Sequence, residues 1–154
     1  MVKSLPLNAL LGRAQQIIDS SLDRDAKLQR ICELLHHEVD DYDWVGFYLT
    51  DRDTRELVLG PFVGEPTEHM RIPFGRGICG QAAERKETFT VQDVSQEANY
   101  LSCSTHVRSE IVVPVLKDGH VLGELDIDSH SLAPFGPLDV ELLEGICAML
   151  ARLF

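Results

Sequence analysis

Nothing in this 154-residue chain is apolar for long enough to cross a bilayer. The segment Met1-Val2-Lys3-Ser4-Leu5-Pro6 lacks the apolar stretch of a secretory signal. A cytoplasmic protein with no membrane association is therefore expected. Positive charge is also scarce: 14 Lys and Arg stand against 25 Asp and Glu, for a formal net charge of -11. The few cations are scattered beside acids, as in Asp51-Arg52-Asp53, so no basic patch offsets phosphate repulsion and nucleic acid is not an expected partner. Cysteine is too sparse and irregular, at four residues, for a secreted disulfide framework. No Cys-x-x-Cys pair occurs and the six histidines have no ligand spacing, so neither a structural metal nor a cofactor is expected. There is no repeat, low-complexity tract or linker, and the length suits one domain over residues 1–154.

The patterning that remains alternates between two periods. Leu10, Leu11, Ala14, Ile17 and Ile18 make one stripe of a helix over 8–20. Leu28, Ile31, Cys32, Leu35 and Val39 do the same over about 23–39, which makes Cys32 core filling. From Trp44 the residues favour strands. Trp44 to Leu49 and Glu56 to Leu59 flank a polar turn, and Met70 to Pro73 reads as an edge strand because Pro73 cannot donate to a ladder. A short helix over 77–85, a strand over 88–92 and an irregular polar stretch over 93–108 follow. Asp118-Gly119 between two β-rich runs, Glu110 to Leu116 and Val121 to Asp128, is a strong hairpin signal. The chain closes with a helix opening near Pro137, a residue suited to a first helical position. Helices at both ends of a mainly antiparallel sheet define an α+β fold.

Candidate chemistry centres on two thiols. Cys79 lies in the glycine-dense run Gly75-Arg76-Gly77-Ile78-Cys79-Gly80, and Cys103 in the polar stretch Leu101-Ser102-Cys103-Ser104. Both positions read as accessible, and the helix start at Gly77 would lower the Cys79 pKa. In a reducing compartment such thiols point to catalysis or sensing. Asp126 and Asp128 share one strand face, with Leu125 and Ile127 on the other, and Glu110 opens the partner strand. Three carboxyls can therefore meet beside a thiol, or else form an exposed polar face. Trp44 and Tyr48, four apart, share a strand face as core or as the wall of a pocket. The Gly75-x-Gly77-x-x-Gly80 spacing matches a dinucleotide fingerprint, but no βαβ unit surrounds it.

Several runs resemble the free methionine-(R)-sulfoxide reductases, which are single-domain GAF proteins. They are Trp44 to Leu49, Leu57 to Phe62, Arg71 to Gly80, Ser109 to Pro114 and Leu125 to Ser129, so the resemblance covers about residues 40–130. It implies a GAF-like fold with the N- and C-terminal helices packed on one side of the sheet. It also implies that Cys103 is the catalytic thiol and Cys79 a resolving one. Glu110, Asp126 and Asp128 would hold the amino group and sulfoxide oxygen of free methionine sulfoxide, with Trp44 and Tyr48 along its S-methyl group. A thioredoxin-like reductant would reduce the resulting disulfide.

Two departures from the family stand out. Phe89 lies near the place of a usual third cysteine, and the loop reads Asn99-Tyr100-Leu101-Ser102-Cys103-Ser104 where the family has Gly-His-Ile-Ala-Cys-Asp. A non-catalytic GAF module that binds a small ligand or senses redox state is the alternative. The terminal helices would also allow a homodimer.

Overall fold

The computed structural model describes residues 6–101 and 105–154, so the expected catalytic Cys103 lies outside the described residues. Helix α1 (Leu7–Ile18) buries Leu10, Ala14 and Ile18, four apart on one face. Helix α2 (Arg24–Glu38) is capped by Asp23, whose side chain accepts from the Ala26 N–H at 2.9 Å. Strands β1 (Trp44–Asp51), β2 (Glu56–Val63) and β3 (Arg71–Pro73) form a meander, and helix α3 (Gly77–Arg85) leads to β4 (Phe89–Val91). The hairpin of β5 (Ser109–Lys117) and β6 (His120–Ser129) precedes helix α4 (Pro137–Leu150). Asp118 and Gly119 both have positive φ, 53° and 77°, as a two-residue hairpin turn matched to strand twist requires.

The strands form one sheet in the order β3-β2-β1-β6-β5-β4, with every neighbouring pair antiparallel. Its edges are the two short strands. Alternation along β1, β5 and β6 gives the sheet two different faces. Val45, Phe47, Ile111, Val113, Leu125 and Ile127 point to one side, where they form the main core with the buried faces of α1, α2 and α4. Cys32 and Cys147 belong to this core, and burial pushes both thiols up. The terminal helices thus share one side of the sheet, as the resemblance implied. Trp44, Tyr48 and Val112 point to the other side, where α3 lies across them with Ile78, Cys79, Ala82 and Ala83.

Two local expectations change. The β1–β2 ladder extends to Val63, past the Leu59 that the turn residues suggested, with an irregularity between Gly46 and Tyr48. Cys79 is not an accessible loop residue: it sits in the first turn of α3, only 4% exposed, because that helix lies flat on the sheet.

Candidate functional site

The face under α3 collects acids. Glu124, Asp126 and Asp128 occupy alternate positions of β6 and so point the same way. The register sets Glu110 of β5 opposite Asp128 and Val112 opposite Asp126. On the other flank, Trp44, Gly46 and Tyr48 of β1 stand opposite Asp128, Asp126 and Glu124. All four carboxyls are buried: Glu110 is 5% exposed, Asp126 and Asp128 each 1%, and Glu124 fully enclosed. The reading of Asp126 and Asp128 as a solvated polar face is thereby excluded. From above, α3 lowers Cys79 until its Sγ lies 3.8 Å from Glu110 Oε2.

This enclosure governs the electrostatics. Burial raises the pKa of Glu124, and the neighbouring Asp126 charge raises it further. Burial also raises Asp126, against an opposing pull from Glu110 and Cys79. Asp128 is raised well above the carboxylate range by burial and then by the charge of Asp126. Glu110 is near enough to lower both aspartates in part, yet neither oxygen of Asp128 meets hydrogen-bond geometry. A neighbouring negative charge would raise them instead, so the lowering reflects Glu110 offering a proton toward the aspartates. The Cys79 thiol is pushed well above its ordinary value by burial and then by Asp126, Glu110, Glu124 and Asp128. The start of α3 does not lower it as expected from sequence, since burial and four facing acids oppose the helix end.

The aromatic residues are walls of this layer and not an open surface. Trp44 stacks on Phe62 with ring centroids 5.5 Å apart, and its Nε1–H donates to the Glu65 carbonyl at 2.9 Å. Tyr48 donates its hydroxyl to the His69 carbonyl at 2.9 Å. Between Tyr48, His69, Arg76, Cys79, Leu101, Glu110 and Asp126 lies a cavity of about 10 Å³, room for about one water. A much larger groove, about 590 Å³, opens between α1 and α2 beside Arg13, Arg30, His36 and His37, on the opposite side of the sheet. It contains no cysteine, and its walls supply no convergent buried polar set.

The turn before α3 is built for close approach. Gly75 and Gly77 have positive φ, 92° and 66°, and a Cβ on Gly80 would stand 2.6 Å from the Pro73 carbonyl oxygen. These needs account for the glycine spacing without a dinucleotide. Asn99 locks the turn from the other side. Its Oδ1 accepts from the Gly77 N–H at 2.8 Å and its Nδ2 donates to the Gly75 carbonyl at 2.9 Å.

The structure therefore brings together Trp44, Tyr48, Cys79, Glu110, Asp126 and Asp128 from the sequence reading. It adds Glu124, which the i, i+2, i+4 spacing with Asp126 and Asp128 could have revealed. It also adds Arg76, His69 and Leu101, whose place at the cavity comes from tertiary packing with no local signal.

The profile of the GAF domain family matches residues 23–153. A free methionine-R-sulfoxide reductase of Escherichia coli is 38% identical over 127 residues, covering 82% of this chain and 75% of that protein. A protein of the same name from Saccharomyces cerevisiae is 35% identical over 152 residues, covering 95% and 84%. Among solved structures, the free methionine-R-sulfoxide reductase of Neisseria meningitidis in complex with its substrate superimposes with a TM-score of 0.91. It is 38% identical and covers 96% of this chain and 87% of its own.

Proposed function

Since this chain belongs to the free methionine-R-sulfoxide reductase family of GAF-domain proteins, we propose that it reduces free methionine-(R)-sulfoxide to methionine. The observation that carries the reading is the convergence of Glu110, Asp126 and Asp128 on one buried face, with Cys79 held 3.8 Å from Glu110. That arrangement suits acid chemistry on a small zwitterionic substrate. Carboxyls enclosed together keep their protons, so they can donate to a sulfoxide oxygen. Entry of an ammonium group favours the charged form of the same acids and releases protons within the site. One cluster thus recognises the amino group of a free amino acid and supplies acid for its oxygen. Trp44 and Tyr48 close the apolar side beside the S-methyl group.

The two thiols divide the redox work. A buried thiol whose pKa is raised by acids is a poor attacking nucleophile, which supports the roles the resemblance implies, attack by Cys103 and resolution by Cys79. The Cys103 thiolate takes the sulfoxide oxygen, the substrate S–O bond breaks and a proton from the acid cluster completes a cysteine sulfenic acid. Methionine leaves. The Cys79 thiol then condenses with the sulfenic acid, releasing water and forming an intramolecular disulfide. A thioredoxin-like dithiol reduces that disulfide by exchange, becoming oxidised itself. Phe89 stands near the place of the family's usual third cysteine, so in this reading Cys79 resolves directly. The whole of 1–154 forms one GAF-like domain, and a reducing cytoplasm is the setting that recycles it. Among the described residues no helix is long and apolar enough to cross a membrane.

The test is to incubate the reduced protein with each methionine sulfoxide epimer and a thioredoxin-type reductant, and to measure methionine. Turnover of the R epimer alone, lost in Cys103→Ser and slowed in Asp128→Asn chiefly through KM, is the expected result. Undiminished turnover in Cys103→Ser overturns the thiol mechanism. Binding without turnover in the wild type assigns the site to a ligand-sensing GAF module.

A further inference from the structure

We propose that Cys79, Glu110 and Asp126 form a binding site for a thiophilic divalent cation of the zinc class. The thiol sulfur and one oxygen from each carboxyl all lie within 4.8 Å of one another, although the residues come from α3, β5 and β6. Around a tetrahedral ion with bonds of about 2.3 Å to sulfur and 2.0 Å to oxygen, those ligands stand about 3.5 Å apart. The Cys79 Sγ to Glu110 Oε2 separation of 3.8 Å is already close to that spacing.

Two further observations point to a ligand. Asp126 Oδ1 and both oxygens of Asp128 are buried with no hydrogen-bond partner among the described residues, and Asp126 lines the cavity shared with Cys79 and Glu110. Buried acceptors of this kind ordinarily find a donor or a cation. The cavity of about 10 Å³ is also far below the size of an amino acid, yet it is large enough for one water or one small ion. A dication would be seated here without the widening that methionine sulfoxide requires. Asp128, opposite Glu110 in the register, would supply the fourth ligand, a third oxygen.

The ligand set fixes the class of ion. Thiolate selects zinc or cadmium over magnesium or calcium, which favour all-oxygen shells. Binding releases the Cys79 thiol proton and any proton held on the coordinating carboxyls, so affinity rises with pH. No sequence spacing announces the site, because Cys79 lies 31 residues from Glu110 and the three ligands come from separate elements. The inference does not depend on the reductase reading. If both hold, the metal occupies the acid cluster and masks the resolving thiol, making it a reversible inhibitor that the oxidised protein cannot bind.

The experiment uses the full, reduced chain without substrate. Equilibrium dialysis against zinc measures stoichiometry, and cadmium titration follows the near-ultraviolet thiolate-to-metal charge-transfer band. One equivalent of metal and a cadmium band are expected, with magnesium giving neither. The band should disappear in Cys79→Ser, while Asp126→Asn, of nearly equal volume, should weaken binding at least tenfold. Cys103→Ser should bind as the wild type does. Circular dichroism confirms that each variant is folded. Absence of stoichiometric binding overturns the proposal, as does a cadmium band that persists in folded Cys79→Ser or vanishes in Cys103→Ser. Methionine formation is scored separately, so failure of metal binding leaves the reductase assignment standing.

Discussion

Asn99 and Gly77 are joined by a 2.8 Å hydrogen bond from the Gly77 backbone N–H to the Asn99 side-chain oxygen. The same side chain donates to the Gly75 carbonyl at 2.9 Å, and Gln81 Nε2 donates to the Asn99 backbone carbonyl at 3.0 Å. The strand-free segment ahead of Cys103 is therefore tied at residue 99 to the turn that carries Cys79. Asn99 belongs to the part of the loop that departs from the family pattern, yet it performs a defined positioning task.

Asn99→Ala should remove both side-chain bonds and lower stability by about 1 kcal/mol. It should also slow closure of the proposed Cys79–Cys103 disulfide, read as the rate of thiol loss after mixing with methionine-(R)-sulfoxide. Asn99→Asp keeps the acceptor and loses the donor, so it should fall between the two. Equal closure rates in wild type and Asn99→Ala would show that this tie is dispensable.

The reactivity of Cys79 follows from its surroundings. With a pKa pushed up by burial and then by Asp126, it stays a neutral thiol at physiological pH. Native protein treated with iodoacetamide at neutral pH should leave Cys79 unlabelled, and labelling should increase only in alkali. Asp126→Asn removes the largest of the charges acting on the thiol, so it should move the labelling profile to lower pH. Peptide mapping by mass spectrometry reads both effects. Rapid labelling of Cys79 in the folded wild type would contradict its assignment as a protected resolving thiol.

How far the sequence carried this picture depends on which forces were local. The Asp118-Gly119 turn, the Pro137 helix start and the alternation of Leu125 and Ile127 with Asp126 and Asp128 are set by neighbours in the chain, and each appears in the structure. The environment of Cys79 is different. Its glycine-rich flank suggests an open turn, but the packing of α3 across β5 and β6 buries it, and no neighbour in sequence records that packing. Glu124 was legible in principle. A glutamate on a strand face ordinarily reads as solvent-facing, and only a helix covering that face reverses the inference. Leu101 and His69 reach the cavity from loops distant in the chain, so periodicity holds no trace of them.

Gly46 allows the aromatic wall to close. A Cβ there would lie 2.4 Å from Trp44 Cη2 and 2.8 Å from Phe62 Cβ. The indole cannot easily give way, because it is stacked on Phe62 and bonded through Nε1 to the Glu65 carbonyl. Gly46→Ala should therefore cost about 1–3 kcal/mol, as overpacking commonly does. Trp44 is the sole tryptophan, so its emission reports the displacement directly. A shifted emission maximum and a raised KM for methionine-(R)-sulfoxide are expected. Unchanged emission with unchanged stability would mean that this contact is slack.

Glu124 offers the sharpest test of the electrostatics, since it is fully enclosed and neither of its oxygens has a hydrogen-bond partner among the described residues. Its folded pKa is raised well above the unfolded value, first by burial and then by Asp126. A carboxyl shifted in this direction leaves folding unpenalised below the unfolded pKa of about 4.3. As pH rises past that value the unfolded chain releases the proton while the folded chain retains it. Stability then declines by at most about 1.4 kcal/mol per pH unit until the folded pKa is reached. Glu124→Gln keeps the size and removes the titration, so it should flatten this part of the profile. Urea unfolding at pH 5, 6.5 and 8 should give a variant-minus-wild-type difference that grows in favour of Gln as pH increases. A difference that stays constant across the three conditions would mean that Glu124 titrates normally in the folded protein, and that the acid layer beneath α3 is less enclosed than its geometry indicates.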